Sequence, residues 1–185
     1  FYEDLKDFVV VKRKINGNEF SFIIEKTRKN SIYPVTIQDL EKILQNLEFP
    51  IFKELNLIIF RQPKRKEEIL NPVWGRLIYF FDFENKTQPA IIIESQELPK
   101  TFKWDKKLTL AIKNEFELLK KDGYNFIENK RDYEILLTLD LARKTQLYRT
   151  FLHEIGHYEQ YYENMIKPLI LLKNEIVILD KNISD

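Results

Sequence analysis

With 185 residues, 44% of them hydrophobic and including 14 Phe and 9 Tyr, the chain suits one medium domain with a buried core, and long disorder is excluded. It has no cysteine, so disulfides and thiolate metal sites are ruled out, as expected of a protein in the reducing cytoplasm. Lys+Arg 30 against Asp+Glu 29 leave a net charge of +1, so no overall field draws it to nucleic acid or to a membrane.

Phe8-Val9-Val10-Val11 and Phe20-Ser21-Phe22-Ile23-Ile24 flank Asn16-Gly17. Asn-Gly supplies the two positive φ angles of a tight turn, which predicts an N-terminal β-hairpin. We expect this hairpin, residues 1–30, to be an appendage to a main domain over residues 31–185. Thr36-x-x-Asp39 predicts a helix start capped by Thr36, and Leu40, Ile43, Leu44 and Leu47 continue at helical spacing towards Pro50. Strands are predicted over Leu55–Phe60, Arg76–Phe83 and Ala90–Glu94, with a charged loop from Arg61 to Glu68. Lys107–Lys121 predicts a helix, with Leu110, Phe116 and Leu119 among its apolar positions and Asp122-Gly123 closing it. Short strands are expected at Tyr124–Ile127 and Tyr133–Leu137. From Asp140, taken as its cap, to about Asn164 we expect one long helix. Leu147, Tyr148, Phe151, Leu152 and Ile155 give it a broad apolar face. Pro168 interrupts, and Leu169–Leu179 is a last apolar segment.

His153-Glu154-Ile155-Gly156-His157 lies on that helix and holds both histidines of the chain. Residues four apart stand one above the other on a helix, so both imidazoles can reach one metal ion. Glu154 is turned about 100° from His153, beside the metal without ligating it. Catalytic zinc sites combine three protein ligands with a water whose pKa falls to about 7, and a carboxylate then accepts the proton and passes it to the leaving amine. H-E-x-x-H on a helix is that ligand and base arrangement. The bland alternative is a pair of ordinary histidines on a Glu-rich helix. Against it, both histidines stand at metal-binding spacing, on a turn that Phe151, Leu152 and Ile155 predict to be partly buried, where unliganded imidazoles are costly. Gly156 is expected to admit a closely packed backbone.

The stretch Leu147–His157 resembles the active-site helix of zincin-type metallopeptidases, and the strands ahead of it suit a zincin's sheet. The resemblance implies an α+β domain over residues 31–185: a small twisted mixed sheet packed on helices, including the HExxH helix. It also implies zinc as cofactor, a peptide or protein as substrate, His153 and His157 as metal ligands and Glu154 as catalytic base. Asn71-Pro72-Val73-Trp74-Gly75-Arg76 and Gln146-Leu147-Tyr148-Arg149 are similar to a bacterial group of HExxH proteins to which no activity is attached.

The third ligand is less plain. Metzincins continue as HExxHxxGxxH, but here Gln160 and Glu163 occupy the Gly and last His positions. The ligand is then a carboxylate or lies outside this chain. Asn174-Glu175 resembles the Asn-Glu of gluzincins of the thermolysin kind, with Asp180 off the register of that family's downstream Asp. Glu175 is therefore the expected ligand, with Glu163, Asp180 and Asp185 as competitors. With no histidine spare, Tyr161, Tyr162 or Arg149 would donate to an oxyanion.

Other features are weaker. Arg61 and Lys64-Arg65-Lys66 form a basic run, but Glu67 and Glu68 follow and no aromatic interleaving supports nucleic-acid binding. No apolar run approaches the roughly 20 residues that cross a bilayer, and no signal-peptide pattern is evident. The chain begins with Phe1 rather than Met, so we expect N-terminal sequence to precede it, a leader among the options. The expected activity is zinc-dependent peptide hydrolysis, with the substrate paired along an exposed edge strand, either Arg76–Phe83 or Ala90–Glu94. The alternative is a catalytically inactive zincin-fold binding or regulatory module.

Overall fold

The computed structural model describes residues 5–47, 52, 54–65, 74–107 and 110–173. The chain is mixed α+β. Strands β1 (Phe8–Ile15) and β2 (Asn18–Glu25) form the predicted hairpin, with Asn16 and Gly17 at φ 47° and 81°. After β3 (Ser31–Ile32) and helix α1 (Ile37–Gln45) come β4 (Leu57–Arg61), β5 (Gly75–Phe83), β6 (Lys86–Glu94), β7 (Gln96–Glu97) and β8 (Lys100–Asp105). Helix α2 (Leu110–Lys121), β9 (Phe126–Glu128) and β10 (Asp132–Leu137) follow. The chain then enters α3 (Leu139–Lys144), a wide π-helical stretch (Thr145–Phe151), α4 (Leu152–Tyr161) and a second π-helical stretch (Tyr162–Ile166).

Five strands form one sheet in the order β1-β2-β4-β6-β5. Its centre, β2-β4-β6, is parallel, and β1 and β5 close the two sides antiparallel. Parallel strands covered on both faces read as continuous apolar runs, and every residue of β4 and Ala90 to Glu94 of β6 is buried. On one face Phe22, Ile58, Phe60, Ile91 and Ile93 pack with Leu40 and Leu44 of α1 and with Leu147, Phe151, Ile155 and Tyr158. Ile23, Leu57, Ile59, Ala90 and Ile92 form a separate cluster. A small sheet, β8-β10-β9, makes a third core with Tyr124 and Leu141, against which Trp74 and Leu119 pack.

Several expectations change. The hairpin is no appendage: β2 pairs with β4 and supplies Phe20, Phe22 and Ile23 to the cores, so no boundary falls near residue 30. Of the two candidate edge strands, β5 is at the edge and β6 is internal. The cap of α3 is Thr138, whose hydroxyl accepts from Leu141 N–H, while Asp140 sits in the first turn and pairs with Lys144 at 2.7 Å. The long helix runs from α3 through both wide stretches to residue 173. Tyr148, expected on its apolar face, is exposed. Leu169 to Lys173 are helical and exposed, and residues 174–179 of that apolar segment lie outside the described residues, as do Pro50, Asn71 and residues 66–68 of the charged loop. Among the described residues no helix is long and apolar enough to cross a membrane.

Two contacts set the helix on the sheet. The capping box of Thr36 and Asp39 starts α1, and Asp39 also pairs with Arg143 of α3, 104 residues away. Burial opposes the Asp39 charge, but bonds from the Thr36 amide, Arg143 and the Thr36 hydroxyl prevail and hold its carboxyl below the usual range. At the start of β5, a Cβ on Gly75 would stand 2.6 Å from the Ile92 carbonyl oxygen and 2.9 Å from Thr150 Cγ2. Gly75→Ala therefore forces the edge strand away from β6 and the helix. We expect a loss of about 1–3 kcal/mol in denaturant unfolding, and unchanged stability would show that the strand start yields freely.

Candidate metal centre

Helix α4 presents His153 and His157 one turn apart, with their Nε2 atoms 2.8 Å from each other and the rings steeply inclined at 75°. A tetrahedral zinc with Zn–N about 2.0–2.1 Å sets two of its nitrogens about 3.3 Å apart. Opening the pair by about half an ångström matches that span. Neutral imidazole nitrogens suit zinc and its neighbours in the first transition row, so this donor pair fits the expected cofactor. Both histidines are exposed, on the side of the helix away from buried Phe151 and Ile155. The sequence argument that a buried turn would penalise unliganded rings therefore does not hold here. What supports a shared ion is the convergence of the two nitrogens.

Glu154 faces a different neighbour. Its Oε2 accepts a hydrogen bond of 2.9 Å from the Leu77 N–H of edge strand β5, 77 residues away. Tyr161, two turns on, packs its ring 4.5 Å from that of Tyr79 of the same strand, tilted by 49°. Seven residues before His153, buried Gln146 donates from Nε2 to the carbonyls of Trp74 at 3.0 Å and Glu94 at 2.6 Å. Glu94 is itself ion-paired with Arg76 of β5. The wide turn over Thr145–Phe151 buries three successive residues, Thr145, Gln146 and Leu147, each against a separate partner. Gly156, expected to admit a close backbone, has nothing within 4 Å of where a Cβ would lie.

A cavity of about 540 Å³ opens beside His153 and Glu154, between the helix and the small sheet. Trp74, Phe102, Trp104, Tyr124, Leu137, Thr145 and Arg149 are among its lining residues. Of the three oxyanion donors considered, Arg149 reaches this cavity, where it is also ion-paired with Asp122. Sequence reading singled out the segments of Trp74 and Gln146 but gave neither residue, nor Trp104, a part in the site. Both tryptophans of the chain meeting in one cavity is a signal visible only once the strands are placed.

The competitors for the third ligand separate. Glu163 is exposed on the second wide stretch and pairs with Lys167 at 2.7 Å. Glu175, Asp180 and Asp185 lie outside the described residues. Among the described residues no three His, Cys, Asp or Glu side chains gather as a metal group. No protein family, curated protein or solved structure matches this chain.

Two measurements probe the centre. Zinc per chain, by elemental analysis after dialysis, is expected to fall to background in His157→Ala, and an unchanged ratio would place the metal elsewhere. Gly156→Ala meets no neighbour, so helix propensity decides, and we expect a gain of about 1 kcal/mol in stability. A large loss would reveal a packing partner at that turn.

Proposed function

We propose that the chain is a zincin-type metallopeptidase that hydrolyses peptide bonds at the His153–His157 centre. The observation that carries this reading is the convergence of the two Nε2 atoms on α4, with Glu154 held on the neighbouring edge strand. A mixed sheet followed by the HExxH helix also suits the zincin resemblance.

His153 and His157 would hold the ion, with a carboxylate such as Glu175 completing the set. Bound zinc supplies Lewis-acid polarisation of a carbonyl and lowers the pKa of water to about 7. Glu154 accepts a proton from the attacking water and returns it to the leaving amine nitrogen. The edge strand orients the substrate. A peptide added beside β5 takes the outward backbone groups around Leu77, where Glu154 now bonds, and so brings its own backbone to the carboxylate. Arg149, on the cavity wall, is the donor closest in role to an oxyanion partner.

Loss of general acid–base catalysis typically costs about 10²–10⁴ in rate. Glu154→Gln is therefore expected to reduce cleavage of a broad peptide library by at least about 100-fold, with zinc content retained. Equal cleavage by both proteins would remove Glu154 from the mechanism. Full zinc loading with no cleavage by the unaltered chain would favour the alternative, a binding module on the same fold.

A further inference from the structure

We infer that the cavity beside His153 and Glu154 is a binding site for an aromatic side chain, and that the peptidase proposed above selects substrates carrying such a residue next to the cut bond. The second half of this inference rests on the peptidase reading, and the first does not.

Size is the first ground. About 540 Å³ lies in the range of ligand pockets, ample for one large side chain and its adjoining backbone. Chemistry of the wall is the second. Trp74, Phe102, Trp104, Leu119, Ile135 and Leu137 line it, so an occupant is rewarded for apolar and aromatic surface. Aromatic rings prefer edge-to-face or offset contacts with other rings, and the wall supplies four with Tyr124.

Charge is the third ground. The ionised groups on the lining are Lys100, Arg149 and Glu154. Lys100 Nζ stands 5.0 Å from the centre of the Phe102 ring, and Arg149 is held by Asp122. A lysine or arginine side chain entering the cavity meets two like charges. An acidic one finds Arg149 already paired with Asp122 and Lys100 against the Phe102 ring, and must shed its water beside six apolar residues. A neutral ring pays neither cost.

A polar pair also suits the tips of tyrosine and tryptophan. Tyr124 and Thr145 both line the cavity, and their hydroxyls lie 2.5 Å apart. One hydroxyl donates to the other, and both keep acceptor capacity for a phenol O–H or an indole N–H. Of the six apolar wall residues named above, five belong to β8, β10 and α2, and Trp74 immediately precedes β5. The small sheet is thereby a recognition module set against the helix that carries the centre.

Because both tryptophans line the cavity, intrinsic fluorescence reads occupancy without any turnover. The full chain would be titrated with the N-acetyl amides of phenylalanine, tyrosine, alanine and lysine. We expect the phenylalanine and tyrosine amides to bind at least tenfold tighter than the alanine amide, with the lysine amide no tighter than alanine. His157→Ala should bind them alike, since the cavity does not need the metal. Leu119→Phe, checked for an unchanged melting transition, should weaken phenylalanine amide binding at least tenfold. Should that variant not fold, the comparison among the four amides stands by itself. Equal affinity for all four overturns the inference. Aromatic selectivity without peptide cleavage supports the cavity site and overturns the peptidase reading. Cleavage with no aromatic preference beside the cut overturns the selectivity and leaves the peptidase reading intact.

Discussion

An edge strand has one row of backbone groups that no neighbouring strand can pair, and this molecule meets that constraint at β5 with a helix. Glu154 takes the Leu77 amide two residues into the strand, and just before the strand Gln146 adds a second bond to the Trp74 carbonyl that the Glu94 N–H of β6 already uses. Gly75, between them, has no side chain to hold the two backbones apart. Tyr79 continues the seam by packing its ring against Tyr161. The position of the HExxH helix follows from this seam. So does the cavity, since the same helix stretch that grips Trp74 also presents Thr145 and Arg149 to it.

The seam gives Glu154 two parts to play. In the fold it is an acceptor for a backbone amide, a bond worth about 1.5–3 kcal/mol when the partner is charged. In the proposed chemistry it is the proton carrier. The two parts compete for the same carboxylate. A peptide pairing with β5 at Leu77 takes over the amide and releases Glu154 to face the bond to be cut. On this reading, strand addition does more than bind the substrate, because it hands the base to the reaction.

Local chemistry was legible in the sequence where a residue's neighbours along the chain decide its conformation. Asn16-Gly17 turns the hairpin, Thr36 with Asp39 starts α1, and Gly123 at φ 94° ends α2, each as residue type requires. Pairing between distant segments was not legible. β2 reads as half of a hairpin, and nothing local to it announces that its other side pairs with β4. The strand β8 carries three charged residues among six, so its alternation gave no clear run. On the long helix, the wide turns shift the facing of side chains away from a 3.6-residue period. That is why Tyr148 is exposed where periodicity predicted core, and why Gln146, polar and fully buried, was overlooked. Gln146 is a functional hint of a kind that pattern reading discounts, a buried amide whose partners come from two strands.

The angular arrangement around α4 explains how one turn can serve two surfaces. His153 and His157 stand on the solvent side, and Ile155 and Tyr158 point into the main core. Glu154, about 100° from His153, faces the edge strand. In the proposed centre, the imidazoles that would meet the ion are therefore exposed, whereas the carboxylate that would act as base is half-buried and anchored. Exposure of the imidazoles keeps them hydrated and leaves the rings free to open by the small amount that a tetrahedral ion requires. Anchoring costs Glu154 that freedom and gives it a fixed direction. The two Nε2 atoms, at hydrogen-bond distance from each other, and the intervening glutamate, tied to a strand 77 residues away, therefore serve separate neighbours.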